Sequence, residues 1–481
     1  MTLPDPQAVP GAKAKRRQFL KKAALATAGG LAGAGGLNAV SPLLLPGGQV
    51  FEPNLSHWAK ALPPPCPALA ADTDADVVVI GGGFTGLSAA CHLRRAMPGR
   101  RLVLLEAKTC GNGASGRNGA MVMTMTEDRF MELSGDAALD RRLYALTAGN
   151  LDAVAALAAQ TGIDCDLERT GTLQVLAGDD EVAAARRFAV QAQAAGLPFT
   201  FWDRARTAAA IGTSCYHGAL FDPGGGQVHP GKLVALWKAA ALAAGVEIYD
   251  ATPVTGIEEG PVHRIETARG QVVRAPVLVL ATNAYSPRLG YLRRAVAPIY
   301  DYNCITPVLS AAQLALLGWR TRIPFNDTRT ETYYAGLTRD NRIHFGGGPV
   351  DYSFNDGLRT PSAAPRRHAA LHREFTRLFP ALADVGFESS WGGWVDMSLD
   401  RSPAVGRIGR HGNVYYGIGY SGQGVNLSMI FGGIIADLIT GRRQDWSWLP
   451  FLDRLPPYVP NEPFRWLGVE AYLAVTRLSE G

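Results

Sequence analysis

Gly81, Gly83 and Gly86 are spaced as G-x-G-x-x-G, and Glu106 follows 20 residues after the last of them. The first glycine permits a sharp turn after a strand, the second lets a pyrophosphate approach the backbone, and the third allows close helix–strand contact. A carboxylate at that distance, on the end of the next strand, reaches ribose hydroxyls. These four positions predict a bound dinucleotide. A second cluster, Gly417, Gly419, Gly422 and Gly424, opens another helical stretch more than 300 residues later. Its free N–H groups and positive dipole end suit negative charge developing on a bound ring.

The elements that must position these residues are legible around them. Asp76–Ile80 is a short apolar run, as expected of a buried parallel strand. Phe84–Arg95 has helical spacing and Arg101–Glu106 is a second strand, so the glycines sit in a βαβ unit. The small-residue loop 111–120, "GNGASGRNGA", follows the second strand and can lie along an extended cofactor. That loop and the distant glycine cluster favour FAD over NAD. The alternative, an NAD(P)-dependent dehydrogenase, would lack a tightly bound yellow cofactor.

Further along, 136–210 is Ala-rich and helical, interrupted by a strand-like "RTGTLQVLAG" at 169–178. Residues 229–249 read as helix then strand, and 271–285 as two strands split at Ala275-Pro276. Residues 342–348 read as a strand, and 413–441 as strand, glycine turn and apolar helix. The expected fold class is α/β: a Rossmann-like FAD-binding domain interleaved in sequence with a mixed-sheet, α+β substrate domain. The expected division gives 75–135, 211–290 and 391–441 to the FAD-binding domain and 136–210 and 291–390 to the substrate domain. A signal segment spans 1–46, a Pro-rich lead-in 47–74 and a C-terminal extension 442–481; packing of that extension across the substrate domain is preferred to contact with a membrane.

The 481-residue chain carries a net charge of +5. Residues 1–46 hold Lys13, Lys15, Arg16, Arg17, Lys21 and Lys22 against Asp5 alone, which leaves the rest neutral and gives no basic groove for nucleic acid. "RRQFLK" at 16–21, followed by a weakly apolar Ala/Gly segment, reads as a twin-arginine export signal. A periplasmic or membrane-associated location is expected, with a membrane tether if the signal stays uncleaved. The six cysteines are scattered without a C-x-x-C pair, so neither a metal site nor a disulfide framework is predicted.

The segments "DVVVIGGGFTGLSAA", "LLEAKTCGNGASGRNGAMV", "ATNAYS", "WGGWVDMSLDRSPAVGRI" and "NVYYGIGYSGQGVNLS" together resemble the FAD-dependent amine and amino-acid oxidoreductases of the D-amino-acid oxidase superfamily, nearest the gamma-glutamylputrescine oxidase-like branch. The resemblance runs from about Trp58 to the C-terminus. It implies oxidation of a C–N bond in a small amine or amino acid, by hydride transfer to flavin N5 and hydrolysis of the imine. It also implies roles position by position. Gly81, Gly83 and Gly86, with Phe84 and Thr85, would hold the pyrophosphate; Glu106, with Ala107 beside it, the ribose; and Ser115, Arg117 and Asn118 would lie beside the pyrophosphate and ring. Val254 would use its backbone for the adenine. Ala281 and Thr282 would line the ribityl chain, and Gly419, Ser421, Gly422, Gln423 and Gly424 would meet the flavin ring.

Departures from the family pattern set further expectations. No Cys lies in 391–400, where the sarcosine-oxidase branch attaches its flavin, so noncovalent FAD is expected. No Lys follows Lys238, and Asn426 stands at the position of a substrate-clamping lysine. The sarcosine-oxidase branch uses lysines to clamp the substrate carboxylate and to activate O2, so a simple N-methyl amino acid and efficient use of O2 are both weaker expectations, although Arg can replace Lys in either role. The electron acceptor is O2 or a respiratory carrier; a dehydrogenase passing electrons to a quinone or carrier protein is the alternative enzyme. A non-catalytic flavin-binding partner is the alternative of another class.

An amine must be neutral to give up hydride, which calls for a dry site with aromatic walls and a proton acceptor. Tyr333, Tyr334, Trp391 and Trp394 are the candidates for the walls and Asp396 for an ammonium partner, each weighed against plain core packing or capping. His229, just before Pro230, reads as a turn residue, and Arg401 in "DRSP" as a loop pin.

Overall fold

The computed structural model describes residues 51–124, 131–442 and 446–480. The export segment expected over 1–46 lies outside them. Among the described residues no helix is long and apolar enough to cross a membrane.

The chain packs as two units. The larger holds residues 51–353 and 358–459, the smaller 354–357 with 460–480. The smaller contains the helix Phe464–Glu480, whose first turn is fixed by Arg465 bonded to Asp356 at 2.9 Å and to Glu462 at 3.3 Å.

In the larger unit a six-stranded sheet runs Ala404–Ile408, Val414–Ile418, Val277–Leu280, Val77–Ile80, Leu102–Leu105, Glu247–Tyr249. All neighbours are parallel except the first pair. The runs VVVI, LVLL and VLVL form strands because both faces of the sheet are covered. Alternation divides their side chains between two cores. Val77, Val79, Leu102 and Leu104 join the helices Phe84–Ala96, Pro230–Ala243 and Gly424–Thr440. Val78, Ile80, Val103 and Leu105 join Val254, Ile265 and Val273 of a four-stranded sheet. Strand Val77–Ile80 has its sequence successor on one side and Val277–Leu280 on the other, so its carboxyl end is a topological switch point, where ligands bind in open α/β sheets. Pro276 lacks the N–H a ladder needs; there the chain leaves the four-stranded sheet (Val272–Ala275) for the six-stranded one.

A second, nine-stranded mixed sheet includes Thr172–Val175, Gly218–Asp222, Ala297–Ile305, Phe325–Asp327, Tyr333–Leu337, Ile343–Gly347 and Ser389–Met397. Two of these strands fall on the other side of the expected division. Gly218–Asp222 pairs with Thr172–Val175, and Ser389–Met397 pairs with all nine residues of Ala297–Ile305. The first part of the C-terminal extension also differs from its expected place. Trp446, Leu449 and Phe451 enter the helix-side core of the six-stranded sheet, and Val405 N–H donates to Phe451 O at 3.1 Å.

Candidate functional site

The glycine turn forms because no other residue fits it. Gly81 has φ +107°, and a Cβ on Gly81 or Gly86 would fall well inside contact with the carbonyl of Ala281 or of Gly81, respectively. The helix that follows starts at Phe84 with Gly83 as its N-cap and no side-chain cap. Ser115 Oγ instead accepts the Phe84 N–H at 2.9 Å, which brings the loop 111–120 onto the helix end. Glu106 sits across the turn, accepting Gly82 N–H at 2.7 Å and Lys108 N–H at 3.0 Å, with Ala107 N–H a weaker donor. Burial pushes its carboxyl up to about 7.

The distant glycine cluster meets this turn. Thr85 Oγ1 and Tyr420 OH lie 2.7 Å apart. The helices behind them cross closely: Ser88 donates to Met429 O at 2.6 Å, and a Cβ on Gly432 would lie 2.5 Å from Ala89 N. Asp396, 1% exposed, holds the cluster by accepting Gly419 N–H at 2.6 Å. Ser421, at φ +51°, donates to Gly419 O and accepts Ser398 N–H. Gly422 faces open space, helix Gly424–Thr440 starts without a side-chain cap, and Gln423 Oε1 is buried without a partner. An orphaned acceptor beside an uncapped helix start, opposite a glycine turn with its own carboxylate, fits a dinucleotide with a polar ring.

Burial pushes the Asp396 carboxyl up to about 7 against the N–H donors of Gly419 and Tyr420. The folded protein therefore binds a proton that the unfolded chain, with an ordinary carboxyl near 4, has released. Stability from this group is fullest below about pH 4 and falls as pH rises to about 7, by up to about 1.4 kcal/mol per pH unit. Urea unfolding between pH 4 and 8 should show a shallower decline in Asp396→Asn than in the parent; identical slopes would mean that Asp396 is ionised throughout.

The loop residues are used differently from one another. Arg117 donates to the carbonyls of Asn112 (2.7 Å), Pro53 (2.9 Å), Gly392 (3.1 Å) and Glu52 (3.3 Å), so its guanidinium clamps backbone. Asn118 bonds Ala114 O, Ser115 O and Ala120 N–H, folding the loop on itself. Ala281 donates to Ile80 O at the glycine turn, and Thr282 pairs with Ser286. Val254 is buried in the four-stranded sheet, opposite Thr267 at a register shift.

The aromatic candidates separate. Tyr334 lies against Gly119 of the loop and donates to Asp301 Oδ2 at 2.6 Å, with Asn303 Oδ1 at 3.1 Å. Tyr333, one residue earlier, points to the other face, stacked on Phe345 with Arg329 over its ring. Trp391 Nε1 donates to Arg117 O, and its ring packs edge-on to Trp58. Trp394 lines a hollow with Gly113, Arg117 and Tyr285. Asp396 is at the glycine cluster, bonded to backbone. His229 caps the helix Pro230–Ala243, accepting Lys232 N–H. Tyr420, Asp301 and Asn303 belong to the site and were not among the expected residues. Tyr420 is the one aromatic side chain inside the glycine cluster, and that is its only signal in the sequence.

A family model described as DAO, FAD dependent oxidoreductase, matches residues 76–438. A probable oxidoreductase OrdL of Rhizobium meliloti (strain 1021) is 31% identical over 428 residues, covering 86% of this chain and 95% of that protein. The gamma-glutamylputrescine oxidoreductase of Escherichia coli (strain K12) is 32% identical over 414 residues, covering 84% and 93%. Among solved structures, glycine oxidase from Geobacillus kaustophilus superposes with a TM-score of 0.66 at 22% identity, over 79% of this chain and 98% of that one, a likeness of fold.

Proposed function

Because the chain belongs to the DAO family of FAD-dependent oxidoreductases, we propose that it oxidises a C–N bond of a small amine or amino acid. The observation that carries this is the meeting of two glycine turns at one sheet end, tied through Thr85 and Tyr420, beneath a sheet face that presents Tyr334 and Asp301. Gly81, Gly83, Gly86 and Glu106 would hold the pyrophosphate and ribose, and Gly422 and Gln423 the ring. When bound, FAD supplies a two-electron acceptor.

The protein's own residues prepare the amine. Substrate nitrogen must be neutral when hydride leaves, so the site has to exclude water and take the ammonium proton. Trp391 and Trp394 close the region around Arg117. Burial pushes Asp301 up to about 6 and holds Tyr334 well above the ordinary phenol range. Tyr334 therefore stays protonated, giving its hydrogen to Asp301 and turning an oxygen lone pair toward a substrate N–H. Tyr334→Phe should slow anaerobic flavin reduction by up to about tenfold, the upper worth of one hydrogen bond between neutral groups. Tyr333→Phe should change it less than about twofold. Equal effects in stopped-flow traces would remove Tyr334 from this role.

Anaerobic titration of the purified protein against a panel of amines and amino acids tests the reading. Bleaching of the flavin visible band by one class of compound is expected; a band that none of them bleaches rejects it. A second reading, electron delivery to a quinone or carrier protein, also has an observation behind it. No Lys follows Lys238, and Lys238 is sealed against Asp250 at 2.7 Å. Readmitting air separates the two: rapid return of colour favours an oxidase, a persistently bleached band the dehydrogenase.

A further inference from the structure

One row of registered residues crosses the nine-stranded sheet: Gln174, Asn326, Tyr334, Gly346, Asn303, Trp391. Residues in register on neighbouring strands share a face about 4.8 Å apart. The loop 111–120 covers one end of the row, through Gly119 on Tyr334 and Arg117 on Trp391. The other end opens into a cavity lined by Met123, Thr124, Gln174, Leu220, Asp222 and Asn326, among others. The cavity lies at the end of the loop that reaches the glycine turn, yet none of the residues assigned above lines it.

Its charge is of one sign. Asp222 is 7% exposed and receives Thr124 Oγ1 on Oδ2 at 2.5 Å, and Tyr144 OH and Gly224 N–H on Oδ1 at 2.8 and 2.9 Å. A carboxylate has about four acceptor positions, so Oδ2 keeps capacity for another donor. Gln174 is 9% exposed and its Oε1 is buried without a partner, as is Asn326 Oδ1. No Lys, Arg or His is among the described residues lining the cavity. Buried acceptors left unpaired, here Gln174 Oε1 and Asn326 Oδ1, cost about 1–3 kcal/mol in general, and a donor-bearing cation is the ligand that complements them beside the Asp222 carboxylate.

We propose that this cavity binds an ammonium group of the substrate, separate from the C–N bond that is oxidised. The proposal rests on the amine reading above and narrows it. Gln174 lies two strands from Tyr334, about 10 Å away, so the two nitrogen groups are held at the ends of an extended molecule.

Calorimetric titration of the holoenzyme with methylammonium chloride tests this, with tetramethylammonium chloride and sodium acetate as comparisons. Methylammonium should bind, with tetramethylammonium, which donates no hydrogen bond, weaker. Asp222→Asn should weaken methylammonium about tenfold or more, and Gln174→Leu several-fold at an unchanged melting temperature. Gln174→Leu carries the test if Asp222→Asn fails to fold. Methylammonium binding that ignores both substitutions, no binding at all, or acetate binding lost in Gln174→Leu would each overturn the proposal. The amine panel keeps the two failures apart. Bleaching by amines with methylammonium indifferent to Asp222 overturns this site alone. Binding through Asp222 with no bleaching overturns the amine reading, and the substrate role of the cavity with it.

Discussion

Gly86→Ala yields protein that purifies without its yellow colour. The added Cβ would meet the carbonyl oxygen of Gly81 and, at 3.2 Å, Val79 Cγ1. The first obstacle is backbone and cannot rotate away. Gly81 cannot yield either, since its own φ of +107° is braced against Ala281 O. Nor can the helix Phe84–Ala96 slide outward, because its far side is locked by Ser88 on Met429 O and by the close approach of Gly432. The turn must open, and the helix end leaves the phosphate position. FAD affinity should fall about 100-fold or more, with an overpacking penalty of about 1–3 kcal/mol. Gly99→Ala, just past the same helix, is the control: its Cβ would meet nothing within 4 Å. Absorbance of the purified variants and fluorescence titration with FAD decide it. Full flavin content in Gly86→Ala would refute the argument.

Lys238→Met is the second large loss, this time in stability. Lys238 and Asp250 are 1% and 0% exposed, and their ion pair spans 2.7 Å. Asp250 also accepts Cys66 N–H at 2.6 Å and Cys110 N–H at 2.8 Å, while Lys238 donates to Pro64 O at 2.7 Å. The pair therefore fastens the lead-in at 64–66, the start of the loop 111–120 and the helix Pro230–Ala243 in one place. Removing the ammonium strands a carboxylate away from water, at a cost of about 3–5 kcal/mol. Lys238→Met/Asp250→Asn should recover most of that, because it removes the charge with its partner. Denaturant unfolding distinguishes these outcomes, and a single variant as stable as the parent would show that water reaches Asp250.

What could be read ahead of the structure follows from the physics of each feature. The turn at Gly81–Gly86 was legible because its requirement is local: only glycine meets that backbone, and the flanking runs VVVI and LVLL announce a sheet covered on both faces. Tyr333 and Tyr334 could not be sorted. A strand sends adjacent side chains to opposite faces, and which face meets the loop depends on Gly119, more than 200 residues away. The resemblance puts Arg117 beside the pyrophosphate and ring; the four carbonyls that hold its guanidinium come from distant segments and are not legible in the sequence. Asp222, in "FDPGGG", reads as an ordinary turn acid until Thr124, Tyr144 and Gln174 are brought beside it. The strand Ser389–Met397 was placed with the glycine cluster it precedes, although its nine-residue pairing with Ala297–Ile305 outweighs sequence adjacency.

The helix crossing at Ser88 and Met429 has a consequence in time. The ribosome finishes the first glycine turn about 340 residues before it reaches the second, roughly 20–70 s at ordinary elongation rates. Throughout that interval the nascent chain has half a cradle, with Thr85 lacking Tyr420 and the first helix lacking the surface that fixes it. The complete cradle therefore exists only once Gly424 and the helix behind it have been made, and a chain ending before Gly424 lacks half of it.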